Sequence, residues 1–254
     1  MHYKYTNAQN IYILSGAGQK KMRPTNNLNK EFIMDYQIER VKTGIAGLDR
    51  LISGGFVKGS AVLISGKAGA GKTLFGLQFL WEGLQNGEPG IYMTFEETAD
   101  DIRKDALSFG WDFSDFEKKG KFKLIEHNVY DNPSMDFFDV DKIKAERIVI
   151  DSISILSLMV EKKAALRNRM NNIVAALKRK GVTTLMISEA IDGDAYSRLG
   201  VEEFISDAVV MLDFVPVGPQ AGRNLLISKM RRTKHSEQIH PIQISKGGMR
   251  VLSI

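Results

Sequence analysis

The sequence predicts an α/β domain built on a mostly parallel sheet, and three observations carry that prediction. From Tyr36 onward, short apolar runs alternate with amphipathic stretches, the pattern of parallel strands joined by crossover helices. After residue 205 the helical stretches stop and strand-like runs follow one another, so antiparallel strands are expected to extend the same sheet. With 254 residues, 43% of them hydrophobic, the chain can fill one such core.

Taken in order, residues 1–33 are rich in Asn, Gln, Lys and Tyr and hold no sustained strand or helix period. They are expected to form a weakly ordered extension, with the domain proper at 34–254 and Met34 a second candidate start of translation. Within the domain, strands are expected at 60–66, 90–96, 121–127, 147–151 and 182–188. Helices are expected at 72–86, 98–109, near 135–145 and at 161–180. On the last of these, Leu166, Met170, Ile173, Val174 and Leu177 form one core-facing stripe, and Lys163, Arg167 and Lys178 read as its solvated face. The closing strands are "DAVVMLDFV", "RNLLISKMR", "QIHPIQIS" and "GMRVLSI", the last two joined by a hairpin turn at Gly247 and Gly248.

Composition removes several classes of function. The chain has no cysteine, which excludes disulfides and thiolate metal sites, and its four histidines show no metal-binding spacing. No metal is expected except one carried by a ligand. No stretch approaches the roughly 18 apolar residues of a membrane helix, and "IYIL" is too short for a signal-peptide core, so a cytoplasmic protein is expected. A net charge of +5 is mild for an obligate nucleic-acid coat.

The chemistry begins at "VLISGKAGAGKTLF". Gly66, Lys67, Ala68, Gly69, Ala70, Gly71, Lys72, Thr73 and Leu74 place the full GxxxxGK(S/T) pattern between an apolar strand and an amphipathic helix. Glycines let successive backbone N–H groups turn inward around phosphates, and the helix N-terminus adds its dipole. Lys72 is positioned for the β and γ phosphates of ATP, and Thr73 for Mg²⁺. In "ERIVIDS" a buried strand ends in Asp151, at the edge where ligands of open α/β sheets bind, making it the second candidate Mg²⁺ ligand. In "YMTFEET" another strand ends in Glu96 and Glu97; Glu96 is favoured to orient and deprotonate the attacking water, and Thr98 reads as the cap of the next helix. Finally, "ISKMRRTKHS" gathers Lys229, Arg231, Arg232, Lys234 and His235. Read as a strand, it puts Lys229, Arg231 and Thr233 on one face and Met230, Arg232 and Lys234 on the other.

With these motifs in hand the chain resembles the RecA superfamily of P-loop ATPases, and most closely the KaiC-like branch that includes single-domain paralogues of the recombinase RadA. The resemblance runs from about Val41 to the C-terminus and rests also on "TGIAGLDRLISGGFVKGS", "LGVEEFISD" and "KMRRTKH". It implies a RecA-like core, a homohexameric ring with ATP and Mg²⁺ between subunits, catalysis by Glu96 assisted by Glu97, and an arginine finger from the next subunit at Lys229 and Arg231.

Three positions depart from the family pattern. Glu203 and Phe204 replace the Ser-Thr pair that is phosphorylated in some members just before the position of Ser206-Asp207, so autokinase activity is not expected. Arg232 stands where the family often has glycine. Lys246-Gly247 replaces an acidic turn near the adenine in some relatives and leaves base selectivity open. Two functions fit: a ring-forming ATPase that gates an unidentified partner protein, or a paralogue that binds single-stranded DNA with weak ATPase activity. The loop "EAIDGDAYSRLGVEEF" carries Asp192, Asp194, Glu202 and Glu203 against Arg198, which disfavours DNA beside it, although Tyr196 and Arg198 could stack on a base; the preceding loop offers Lys162 and Lys163. The first reading is preferred.

Overall fold

A computed structural model describes residues 12–13, 20–21, 38–128, 144–158, 163–190, 197–217 and 220–252. The chain divides into two units, Met1–Ile38 and Glu39–Ile254. In the first, strand β1 (Tyr12–Ile13) pairs antiparallel with β2 (Lys20–Lys21).

The second unit opens with a small antiparallel ladder, β3 (Arg40–Val41) on β4 (Phe56–Val57), around the short helix α1 (Leu48–Leu51). Its main sheet contains β5 (Ala61–Gly66), β6 (Gly90–Thr94), β7 (Phe122–Glu126), β8 (Arg147–Asp151) and β9 (Thr183–Glu189). Four more strands complete it: β10 (Ala208–Val217), β11 (Gln220–Met230), β12 (Ile239–Ser245) and β13 (Gly248–Val251). The nine strands lie in the order β13, β12, β11, β10, β5, β9, β8, β6, β7. Pairing is parallel from β10 to β7 and antiparallel from β10 to β13, the mixed sheet that the alternation and the closing strand runs predict.

Helices cover both faces, which is why β5 and β6 are buried throughout and β8 up to its last residue. Helix α2 (Lys72–Gln85) buries Phe75, Leu77, Phe79 and Leu80 in one core, with Val62, Ile64, Tyr92 and Val149. It approaches the sheet closely at Gly76, where a Cβ would lie 2.9 Å from Val149. On the opposite face helix α5 (Lys163–Arg179) buries Leu166, Met170, Val174 and Leu177, as its stripe predicts, with Ile173 half-buried. Lys178 departs from its reading as a solvated residue: its Nζ donates to both carboxylate oxygens of Asp207, at 2.8 and 2.7 Å.

Helix α3 (Ala99–Ser108) begins as expected at Thr98, whose Oγ1 accepts from Asp101 N. Several strands end earlier than predicted, β6 and β11 among them. β6 stops at Thr94 because the Thr94 hydroxyl donates to Glu97 O (2.8 Å) and accepts from Glu97 N (3.2 Å), turning the chain. β11 stops at Met230, and residues 231–232 form a turn, so the predicted face alternation does not extend to Arg231, Arg232, Thr233 and Lys234. The short helices α4 (Ser114–Lys118) and α6 (Glu202–Ile205) and a 3-10 turn at Ile153–Leu158 are additions to the predicted elements. The helix expected near 135–145 falls largely outside the described residues.

Candidate functional site

Gly66 ends β5 flush against β10; a Cβ there would lie 2.1 Å from Leu212 O, so glycine lets the strands close where the loop begins. The chain then turns through Lys67, Ala68 and Gly69, all exposed, before Ala70 is buried and α2 starts at Lys72. Gly71 takes φ 98°, which a side chain would resist, and a Cβ there would press on Met249 at 2.9 Å. Lys72 Nζ folds over the loop and donates to Lys67 O at 3.0 Å. Burial lowers its pKa, opposed by the nearby charges of Asp151, Glu189 and Glu96. Leu74 packs into the core and anchors the first helical turn.

Sheet order brings the second element to the first. β9 alone separates β5 from β8, so the loop and Asp151 share the C-terminal edge of the sheet. Thr73 Oγ1 donates to Asp151 Oδ2 at 2.8 Å, and Tyr92 OH donates to the same oxygen at 2.5 Å. Burial raises the pKa of Asp151, while the two hydroxyl donors and Lys72 oppose the shift. A buried carboxylate beside a hydroxyl is a hard-oxygen pair suited to Mg²⁺. Among the described residues no group of three His, Cys, Asp or Glu could hold a metal, so phosphate oxygens and water would complete the shell.

Glu96 and Glu97 stand just beyond β6, both exposed. Glu96 Oε1 accepts from Ser152 Oγ at 3.3 Å, which places it beside Asp151. Burial raises the pKa of Glu97, reinforced by Asp151, Asp105, Asp101 and Glu96. Both carboxylates line a cleft of about 550 Å³ that reaches Glu126, His127, Ser154 and Arg198.

Lys229 and Arg231 lie elsewhere. Met230 pairs with Ala208, Ala208 with Val62, and Leu212 with Gly66. The basic end of β11 is therefore level with Val62, four residues and about 13 Å behind Gly66. Lys229 Nζ donates to Glu203 O (2.8 Å) and Ser206 O (2.7 Å), and Arg231 lies 3.7 Å from Asp207. The opposite end of the same strand does reach the loop: Arg223 Nε donates to Gly69 O at 3.0 Å, and its guanidinium stacks 4.5 Å from the Phe214 ring.

Tyr92, Ser152, Glu189 and Arg223 are site residues beyond the sequence candidates. A signal for Tyr92 existed, since a tyrosine in a fully buried strand needs a partner for its hydroxyl. Glu189 sits opposite Gly66 because it ends the strand next to β5. Arg223 is separated from Gly69 by 154 residues, and only the register of β10 with β11 brings them together.

Comparison with known proteins identifies the family. The profile of the KaiC ATPase family matches residues 41–254. The UPF0273 protein of Thermotoga maritima is 34% identical over 84% of this chain and 95% of its own length. The circadian clock oscillator protein KaiC of Synechococcus elongatus is 35% identical over 91% of this chain, which spans 46% of that protein. The crystal structure of a KaiC-like protein from Pyrococcus horikoshii superposes with a TM-score of 0.76 at 40% identity, covering 85% of this chain and all of that one. With its RecA-like fold, phosphate loop and strand-end acids in these positions, the chain belongs to the KaiC family of ATPases.

Proposed function

We propose that this protein hydrolyses Mg-ATP at sites completed by a neighbouring copy in a ring, six copies being the number the resemblance implies, and that turnover gates contact with a partner protein. The observation that carries the enzymatic part is the Thr73–Asp151 hydrogen bond at the mouth of the glycine loop, with Glu96 one residue contact away through Ser152.

The backbone N–H groups of residues 67–73 bind the phosphates, and Lys72 exchanges Lys67 O for a phosphate oxygen. Thr73 and Asp151 would hold Mg²⁺, which would supply positive charge to the bound polyphosphate. Glu96 orients a water molecule in line with the γ-phosphorus, and Glu97, whose carboxyl is held above its ordinary range, assists as proton acceptor. The water oxygen bonds to the γ-phosphorus as the bond to the β-phosphate bridging oxygen breaks, yielding ADP and phosphate. Charge developing on the γ-phosphoryl group calls for cations beyond Lys72, and the Lys229–Arg231 end of the subunit's own β11 is too remote to provide one. Lys229 and Arg231 supply it to the neighbour.

The alternative, binding of single-stranded DNA, has weaker support because the guanidinium of Arg198 is ion-paired with Glu189. Phosphate release from Mg-ATP tests the main reading. Lys72→Ala and Glu96→Gln should each lower turnover by about a hundred-fold or more. Undiminished turnover in Lys72→Ala would show that the loop is not the working site.

A further inference from the structure

The end of β11 and the turn after it hold three neighbouring cations, Lys229, Arg231 and Arg232, and the first two are tied to their own chain. Lys229 is held by the carbonyls of Glu203 and Ser206. Arg231 donates its backbone N–H to Asp207 O at 2.9 Å and sets its guanidinium beside the Asp207 carboxylate, which Lys178 also grips. Arg232 differs in two respects. Its side chain is exposed and, among the described residues, makes no ion pair or hydrogen bond. Its backbone has φ 59°, in the left-handed region that glycine adopts freely and a residue with a Cβ resists.

Arg232 thus occupies a position whose backbone suits glycine, and it adds a positive charge beside Arg231 and the exposed Lys234. Clustered like charges repel unless an anion joins them. The guanidinium fork is suited to gripping phosphate oxygens in pairs. Asp207 engages Lys178 and Arg231 but not Arg232, and the turn lies behind the subunit's own phosphate loop, so an anion for Arg232 has to be sought outside the chain.

We propose that Arg232 is a third trans-acting cation, whose guanidinium contacts the polyphosphate of the nucleotide bound by the neighbouring copy. This rests on the shared-site reading above. Its role is separable from that of Arg231 because its backbone conformation gives it a stability signature of its own.

The test compares wild type, Arg232→Gly, Arg232→Lys and Arg231→Ala in the full chain, by thermal midpoint, affinity for a fluorescent ATP analogue and steady-state phosphate release across a salt series. Arg232→Gly should raise the thermal midpoint by about 2 °C, since glycine relieves the left-handed backbone. The same variant should lower nucleotide affinity and kcat/KM about ten-fold, with a shallower dependence on salt. Arg232→Lys should regain part of the activity and none of the stability. Unchanged affinity and turnover in Arg232→Gly would overturn the inference. A selective loss of affinity for single-stranded DNA would overturn it too and assign the turn to nucleic acid. If Arg231→Ala retains full turnover, the shared-site reading itself fails; if Arg231→Ala loses turnover and Arg232→Gly does not, only the role of Arg232 fails.

Discussion

Asp151 carries opposing demands. In the proposed site its carboxylate would have to be ionised to hold Mg²⁺, yet burial raises its pKa above the ordinary 3.8. The folded chain therefore binds the proton more tightly than the unfolded chain does. Stability is lost as pH rises from 3.8 through the raised value, and above it the full cost of a buried charge is present. Asp151→Asn removes that charge while keeping an acceptor for Thr73 and Tyr92. The variant should match or exceed wild-type thermal stability without metal, and lose the stabilisation that Mg-ATP confers on wild type, both read by thermal unfolding with and without Mg-ATP. Glu97 gives a second titration. A proton acceptor must be ionised, and its pKa is raised above the ordinary 4.5. Hydrolysis should therefore fall on acidification at a pH above 4.5, and Glu97→Gln should flatten that acid limb in a pH–rate profile.

Among the elements, the phosphate-loop helix α2 and the closing hairpin of β12 and β13 are joined by one side chain. Gln78 Nε2 donates to Gly44 O (2.8 Å) and Met249 O (3.0 Å), while its Oε1 accepts from Met249 N (2.7 Å). The turn itself is Lys246–Gly247, one residue earlier than predicted; Gly248 opens β13, and a Cβ there would lie 2.5 Å from that Oε1, so this glycine makes room for the clamp. Gln78→Leu would leave several buried backbone groups unpaired and should destabilise the domain by about 3 kcal/mol in denaturant unfolding. This clamp was not legible in the sequence, because a glutamine on an amphipathic helix reads as surface and its partner lies 171 residues away. The strands ending in Gly66 and Asp151 were legible, since an apolar run closed by a glycine loop or a lone acid has few other meanings in an α/β chain. The end of β6 was misplaced by two residues because a side chain, the hydroxyl of Thr94, ends it rather than a change of hydropathy. Lys178 was misread for a similar reason: its partner Asp207 lies just before β10, where periodicity carries no information about pairing.

For the molecule as a whole, the proposed shared site would set two functions at opposite ends of one strand. β11 touches the phosphate loop through Arg223 at one end and carries Lys229 to its opposite end, before the turn that bears Arg231 and Arg232. A chain with the acceptor half of a site at one edge and the donor half at the other is suited to head-to-tail association, which closes into a ring when the rotation between copies permits. Mixing two inactive variants tests this claim most directly. Lys72→Ala lacks the loop charge but keeps the finger, and Arg231→Ala lacks the finger but keeps the loop. In co-assembled, equimolar mixtures about one quarter of interfaces should join an intact loop to an intact finger. Phosphate release should then recover to about that fraction of wild type. No recovery in proteins proven to co-assemble would contradict the shared site.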